Sequence, residues 1–530
     1  MGFRTTISHL PILLALLLFP AISLSQIGDA GQPEKRTISG QVVNSVTGQP
    51  IAGALVRIGE HAGLTDREGQ FEFPDVIGSF GGDLATKPGY FPEQNGFTME
   101  TAERNAPIIL KLVPESIIFG KVLDQNAQPV QGLRVQLKML QVRNGLRHWQ
   151  QRDSTMTNVE GEFRFFELQA GKYSVSTGFQ IDGAPDSASA TAFAPVQYPP
   201  LSGDQESALT VAAGDHIEAD LNPPSQKLYA VTGHIEGQGA LGVNFEAQPS
   251  SGGMINPVVH FNRVTGDFRL MLPSGSYRLK IHAFIQREQL FAIREISVGE
   301  GPLKNLSITL APLARVPVET EYQTGNTSTQ EAQPLFANLG LEEADPAGLG
   351  RTLLAQPLQP GGSANDLMIR DLEPGPYMLQ ASPQPPWYLA SAVCGGLDLK
   401  RELINIAGSA AGCSIHAVLR NDSATLDWSV NASNQVGTGK QVFTYALPLD
   451  NSVQSMSSAV TQAQGADAVA GGSFEGLAPG RYLVIALDHP EELPYREPDV
   501  SQRYLSLGKE VTLTANGKSD VQLNVVTGEP

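Results

Sequence analysis

The sequence predicts an all-β chain, a tandem array of about five β-sandwich domains following a signal peptide. Three observations carry this reading. Gly 54 and Pro 37 are high together in 530 residues, which favours many tight turns and few long helices. A short alternating strand, a Pro/Gly turn and a strand opening on Gly-x-Tyr recur four times, at EGEFRFFELQAGKYSV, TGDFRLMLPSGSYRLKI, DLMIRDLEPGPYMLQA and GGSFEGLAPGRYLVIA. The tyrosines of that motif, Tyr173, Tyr277, Tyr377 and Tyr482, are separated by 104, 100 and 105 residues, about the length of one sandwich.

The amino terminus sets the compartment. Arg4 precedes an uncharged apolar run from Pro11 to Phe19, and small residues at Ser23 and Ser25 follow a proline. This is the pattern of a secretory signal peptide over 1–25, cleaved before Gln26. The apolar run is short for a membrane span. A secreted or periplasmic location is therefore expected. The formal net charge of −18 repels phosphate backbones, which excludes nucleic acid as an expected partner. Hydrophobic content of 41% supports packed cores over about 505 remaining residues, enough for several domains.

After a linker at 26–36, boundaries are expected at 37–114, 115–226, 227–314, 315–422 and 423–530. Each unit is expected to fold independently. The first two open alike, with ISGQVVNSVTGQPIAGALVRI and IIFGKVLDQNAQPVQGLRVQL: strand, glycine, strand, polar turn, then a second strand with Val56 or Val135 facing in. In the recurring hairpin, Phe163 and Phe165 share one face, as do Phe268, Leu270 and Leu272. The Tyr ring is expected to fill the core edge while its hydroxyl finds a polar partner. Cys394 and Cys413 are the only two cysteines, and in an oxidising compartment the pair is expected to form a disulfide in the fourth unit.

No catalytic constellation emerges. His489-Pro-Glu-Glu492 gives His-x-x-Glu, but His489 is the last of nine histidines, so no later third ligand exists for a catalytic zinc. Gly-x-Ser-x-Gly, a phosphate loop and a dinucleotide fingerprint are all missing. The adjacent carboxylates Glu342-Glu343 and Glu491-Glu492 read as solvated surface, and Asp66 to Gly69 as a hairpin turn. No cofactor is expected. Among aromatics, Trp428 alternates with Leu426 and Val430 and reads as core. Trp149, in the polar stretch RNGLRHWQQRD, and Trp387-Tyr388, after Pro385-Pro386 at a loop tip, are the candidate ligand-contact residues.

The first unit resembles the carboxypeptidase regulatory-like domain family, a transthyretin-like or carbohydrate-binding-like β-sandwich related in form to Ig-like domains. Gly40, Val42, Gly48, Pro50, Gly53, Ala54, Val56, Thr65, Asp66, Gly69, Phe71 and Phe73 fit its motif, and Gly89-Tyr90 sits where the family has a glycine-tyrosine segment. Unit two keeps Gly120, Val122, Asp124, Pro129, Val130, Gly132, Val135, Gly161, Phe163 and Phe165. The resemblance implies a non-enzymatic accessory module. The expected role is a non-catalytic secreted scaffold for binding or structure. The alternatives are a carbohydrate-binding protein of the cell surface or periplasm and an accessory module of a peptidase or transporter system. A polysaccharide or another extracellular protein is the expected partner.

Overall fold

The computed structural model describes residues 36–527, apart from 78–80, 83, 94–96, 99–106, 183–189, 201–206, 237–241, 251–253, 286–287, 326–337, 345–349, 359–364, 409–411, 432–440, 451–452, 454 and 464–468. The expected signal peptide lies outside these residues. The protein is an all-β tandem array of sandwiches. Among the described residues the one α-helix is Pro498–Leu505, and no helix is long and apolar enough to cross a membrane.

One strand plan recurs five times. The opening strands are Arg36–Asn44, Ser116–Lys121, Ser225–Glu236, Ala314–Gln323 and Ala424–Asn431. Each lies between an antiparallel neighbour and a parallel closing strand. The antiparallel neighbours are Gln70–Val76, Glu162–Leu168, Asp267–Pro273, Asp366–Leu372 and Val469–Leu477. The closing strands are Ile108–Pro114, His216–Glu218, Leu303–Thr309, Ile415–Arg420 and Lys518–Val526. A second sheet faces each of these, and the inward side chains of the two form a separate apolar core in every unit. A parallel pairing needs a long crossover, and here the second sheet supplies it.

Local chemistry explains the recurrence. A Cβ on Gly40 or Gly233 would fall 2.2 or 2.1 Å from a carbonyl oxygen of the closing strand, and one on Gly120 2.5 Å from that of Ala219 just past it, so only glycine lets the two segments approach. The same glycines face Phe71, Phe163 and Phe268 on the antiparallel neighbour, and each ring lies over the space that a side chain would occupy. Thr65 donates to the Ile51 carbonyl at 2.6 Å and accepts from the Ala54 N–H at 2.9 Å. Thr157 does the same with Val130 and Leu133 at 2.6 and 2.9 Å. Asp66 and Asn158 each accept a backbone N–H four residues on, at 2.7 Å, which makes Asp66 to Gly69 a turn held by its own side chain.

Each Gly-x-Tyr tyrosine is buried, and its hydroxyl donates to the carbonyl four residues back. Tyr173 bonds Gln169 at 2.8 Å, Tyr277 bonds Pro273 at 3.0 Å, Tyr377 bonds Glu373 at 3.0 Å and Tyr482 bonds Ala478 at 2.9 Å. The ring thus fills the core edge while its polar tip ties down the turn that precedes the strand.

The units are not separate beads. Strands Gln180–Asp182 and Thr191–Phe193, within the second unit by sequence, form a hairpin that joins the sheet of Ser225–Glu236 in the third. Ala190, Ala192, Leu228 and Met271 pack into a small core beneath it. In the last unit Ala486 and Leu487 pair with Val525 and Val526, joining its two sheets.

Candidate functional site

Cys394 and Cys413 are disulfide-bonded, with Cα atoms 5.5 Å apart. The bond lies in the core of the fourth unit, where Cys394 is buried. Trp387 and Tyr388 do not sit at an exposed loop tip. Trp387 is 3% exposed and stacks edge-on against Tyr322 at 5.3 Å. The Tyr388 hydroxyl donates to Asp422 at 2.8 Å, which Arg420 also grips. Burial first, then the bond to Asp422 and its charge, push the Tyr388 phenol up. Trp387 belongs to the fourth unit's own apolar core, and the fifth unit closes on the proline before it, where a Cβ on Gly476 would lie 2.8 Å from Pro385. Neither ring offers a face to a ligand.

Trp149 lies on a strand, Leu146–Met156, opposite Leu140 on Arg134–Arg143. It is half-buried. The polar stretch around it is the end of a long hairpin whose two-residue turn is Asn144-Gly145, at φ 51° and 75°. Positive φ at both central residues is what Asn-Gly supplies in the tight turns that match strand twist.

This hairpin tip is a polar junction. It reaches from the second unit to both the fourth and the fifth. On one side Arg143 bonds Glu342 at 2.6 Å and also the Gly350 carbonyl, and the Asn144 amide donates to Glu342 at 3.0 Å. On the other side Glu497 accepts from the Arg147 N–H at 2.8 Å and from its guanidinium at 2.9 Å. Glu492 accepts from the Val142 N–H at 3.1 Å, and the Arg496 N–H donates to the Gly145 carbonyl at 3.0 Å. Gly145 is needed for a second reason: a Cβ there would meet the Tyr495 ring at 2.5 Å. Burial pulls the His148 imidazole down, with Glu342 opposing. A further ion pair joins the third and fourth units, Lys280 to Glu373 at 3.6 Å.

Glu342, expected on solvated surface, is therefore buried, its side chain 1% exposed, because the hairpin covers it. Sequence reasoning missed this junction, although the Asn-Gly pair between two alternating stretches was a hairpin signal. His489, the other candidate ligand, bonds Asp488 at 2.7 Å, and Glu491 lies 3.6 Å from it. Its partner in the zinc pattern, Glu492, is turned to the hairpin. Among the described residues no three His, Cys, Asp or Glu side chains are grouped to hold a metal. The arrangement can clamp units together; it assembles no nucleophile, base and oxyanion donor.

No protein-family model matches the chain, and no curated protein matches it in sequence. Solved structures match it in part. A streptococcal ancillary pilin is 12% identical, with a TM-score of 0.20, over 53% of this chain and 99% of its own. GBS52, the minor pilin of Streptococcus agalactiae, is 14% identical, with a TM-score of 0.18, over 36% and 95%. The shaft pilin SpaA of Lactobacillus rhamnosus GG is 11% identical, with a TM-score of 0.14, over 38% and 98%. Likeness at this level carries no functional weight.

Proposed function

We propose that the protein is a non-catalytic scaffold, secreted or periplasmic, whose five sandwiches are held in a fixed arrangement to present their outer faces to an extracellular partner. The observation that supports it is the hairpin clamp. Arg143, Asn144, Arg147, Glu342, Glu492 and Glu497, a concentration of charge of the kind that active sites display, are all engaged in joining units. We place units one and two with the carboxypeptidase regulatory-like domains. Their motif residues Gly40, Thr65, Gly69, Gly120 and Gly161 have structural duties, which agrees with a module that lends shape and not chemistry.

Small-angle scattering on the mature chain tests this reading. A fixed arrangement gives one well-defined maximum dimension, unchanged from dilute to moderate protein concentration. A profile of five sandwiches on flexible joints would reject it, as would chelator-resistant hydrolysis of peptides or glycosides by the pure protein.

A further inference from the structure

The outer face of the second unit's opening sheet carries a groove of about 700 Å³, within the roughly 300–1,000 Å³ usual for small-molecule sites. Strand register puts Phe119 in its middle. Arg164 lies opposite it on one neighbouring strand and Glu218 on the other. Phe119 is 38% exposed, and Met156 on the groove wall is 53% exposed.

Lys121 and Glu162 pair with each other at 3.1 Å. The side chains of Arg164, Glu218 and His216, by contrast, have no hydrogen-bond or ion-pair partner among the described residues. Nor does the sandwich require an aromatic there. The residue before the close-approach position is Ser39, Thr232, Pro317 and Asp427 in the other four units, read from the shared register. Only the second unit places a ring at this point.

We propose that this groove binds an uncharged saccharide, with a pyranose stacked on Phe119 and its hydroxyls bridging Arg164 and Glu218. A guanidinium only donates hydrogen bonds and a carboxylate only accepts them. A ligand that satisfies both must carry groups that do each, as hydroxyls do. A phosphate or sulfate would satisfy Arg164 and be repelled by Glu218; an ammonium would do the reverse. Lys121 and Arg164 balance Glu162 and Glu218, so the groove is neutral on a chain of net charge −18, which favours a neutral ligand. Strands are spaced ~4.8 Å apart, so the two flanking groups straddle the ring by roughly 10 Å at the backbone. This goes beyond the scaffold reading and does not rest on it, since a flexible array could carry the same groove.

The test is titration calorimetry on the full mature chain with cello-, xylo-, malto- and chito-oligosaccharides, and with alginate and heparin as anionic probes. At least one neutral oligosaccharide is expected to bind. Phe119→Ala should weaken it at least about tenfold, and Arg164→Ala and Glu218→Ala should each weaken it measurably. Phe284→Ala, which removes a ring 52% exposed in the third unit, should leave binding unchanged. Circular dichroism and the thermal midpoint check each variant's fold; should Phe119→Ala fail to fold, the two charge variants decide. The proposal is overturned if no neutral oligosaccharide binds at millimolar concentration, if folded Phe119→Ala or both charge variants bind like the wild type, or if a polyanion binds more tightly than every neutral probe.

Discussion

At one register position the five units solve the same packing problem with different residues. In the first three a glycine on the opening strand faces a phenylalanine on its antiparallel neighbour. In the fourth Val318 faces Leu367. In the fifth the pair is inverted: Trp428 stands on the opening strand, and Gly472 faces it, where a Cβ would come 2.7 Å from the indole. Total volume across the pair is roughly kept, which cores tolerate better than change at one side alone. Gly233→Ala should therefore destabilise the third unit by about 1–3 kcal/mol, read as a lower denaturation midpoint at unchanged slope; a neutral effect would show that the closing strand shifts without cost. The Gly-x-Tyr tyrosines give a pH dependence. Burial raises the phenols of Tyr173, Tyr277 and Tyr377, with Tyr277 pushed up to about 12. A raised phenol means that the fold favours the neutral form. The stabilisation is complete below the ordinary value of 10.0 and is lost as pH rises through the folded value. Phenolate absorbance from these rings should appear together with unfolding between pH 10 and about 12; smooth ionisation in an intact fold would contradict it. The tyrosines were legible in the sequence because the constraint on each comes from the turn just before it, whose carbonyl four residues back accepts the hydroxyl; the glycines were legible only as a recurring motif, since the carbonyl that crowds each one belongs to a distant part of the chain. The fate of Trp387 was not, because the ring it meets, Tyr322, stands on the unit's opening strand, far from it in the sequence.

At the scale of elements, the hairpin Arg134–Arg143 with Leu146–Met156 carries its tip out of its own sandwich to two others. Its turn residues were readable as Asn-Gly, and its strands as alternating. Its partners were not, because Glu342 and Glu497 lie 199 and 350 residues further along from the residues they bind. No local pattern encodes a pairing at that distance. The energetic weight falls on Glu342, buried and held by two donors of the hairpin. Removing a partner from a buried charge leaves it uncompensated, which costs more than the pair contributes. Arg143→Ala should cost about 3 kcal/mol, while Glu342→Gln, which keeps an acceptor for Arg143 and removes the buried charge, should cost less. Thermal denaturation of the two variants checks the order. If Glu342→Gln were the more damaging, the carboxylate would be needed as a charge and not only as an acceptor.

For the whole molecule, the recurring strand, turn and Gly-x-Tyr strand was legible because it is written within a few residues, but the structure corrects its form: the two strands do not pair as a hairpin but lie in different sheets, with the turn crossing between them. How the units combine is set by two features of longer range, the strand pairing of 180–193 with the third unit and the clamp from the second unit to the fourth and fifth. These divide the chain unequally. The first unit has its own closed core and meets the second near Pro114, where the Glu115 N–H donates to Gly89 and Gly214 abuts the proline ring. Units two to five are linked by a shared sheet, by the clamp and by the Lys280 to Glu373 pair. Cooperative unfolding follows such links, because an element cannot leave without exposing its partner's core. Scanning calorimetry of the mature chain should accordingly show two transitions: a small one from the first unit and a large one from the other four. Arg143→Ala should leave the small transition in place and lower the midpoint of the large one without splitting it, since the contacts of Arg147 with Glu497 and of Lys280 with Glu373 remain. Five independent transitions in the wild type would show that the clamp and the shared sheet are too weak to couple the units. A single transition would show that the contact around Pro114 couples the first unit as firmly as the clamp couples the rest.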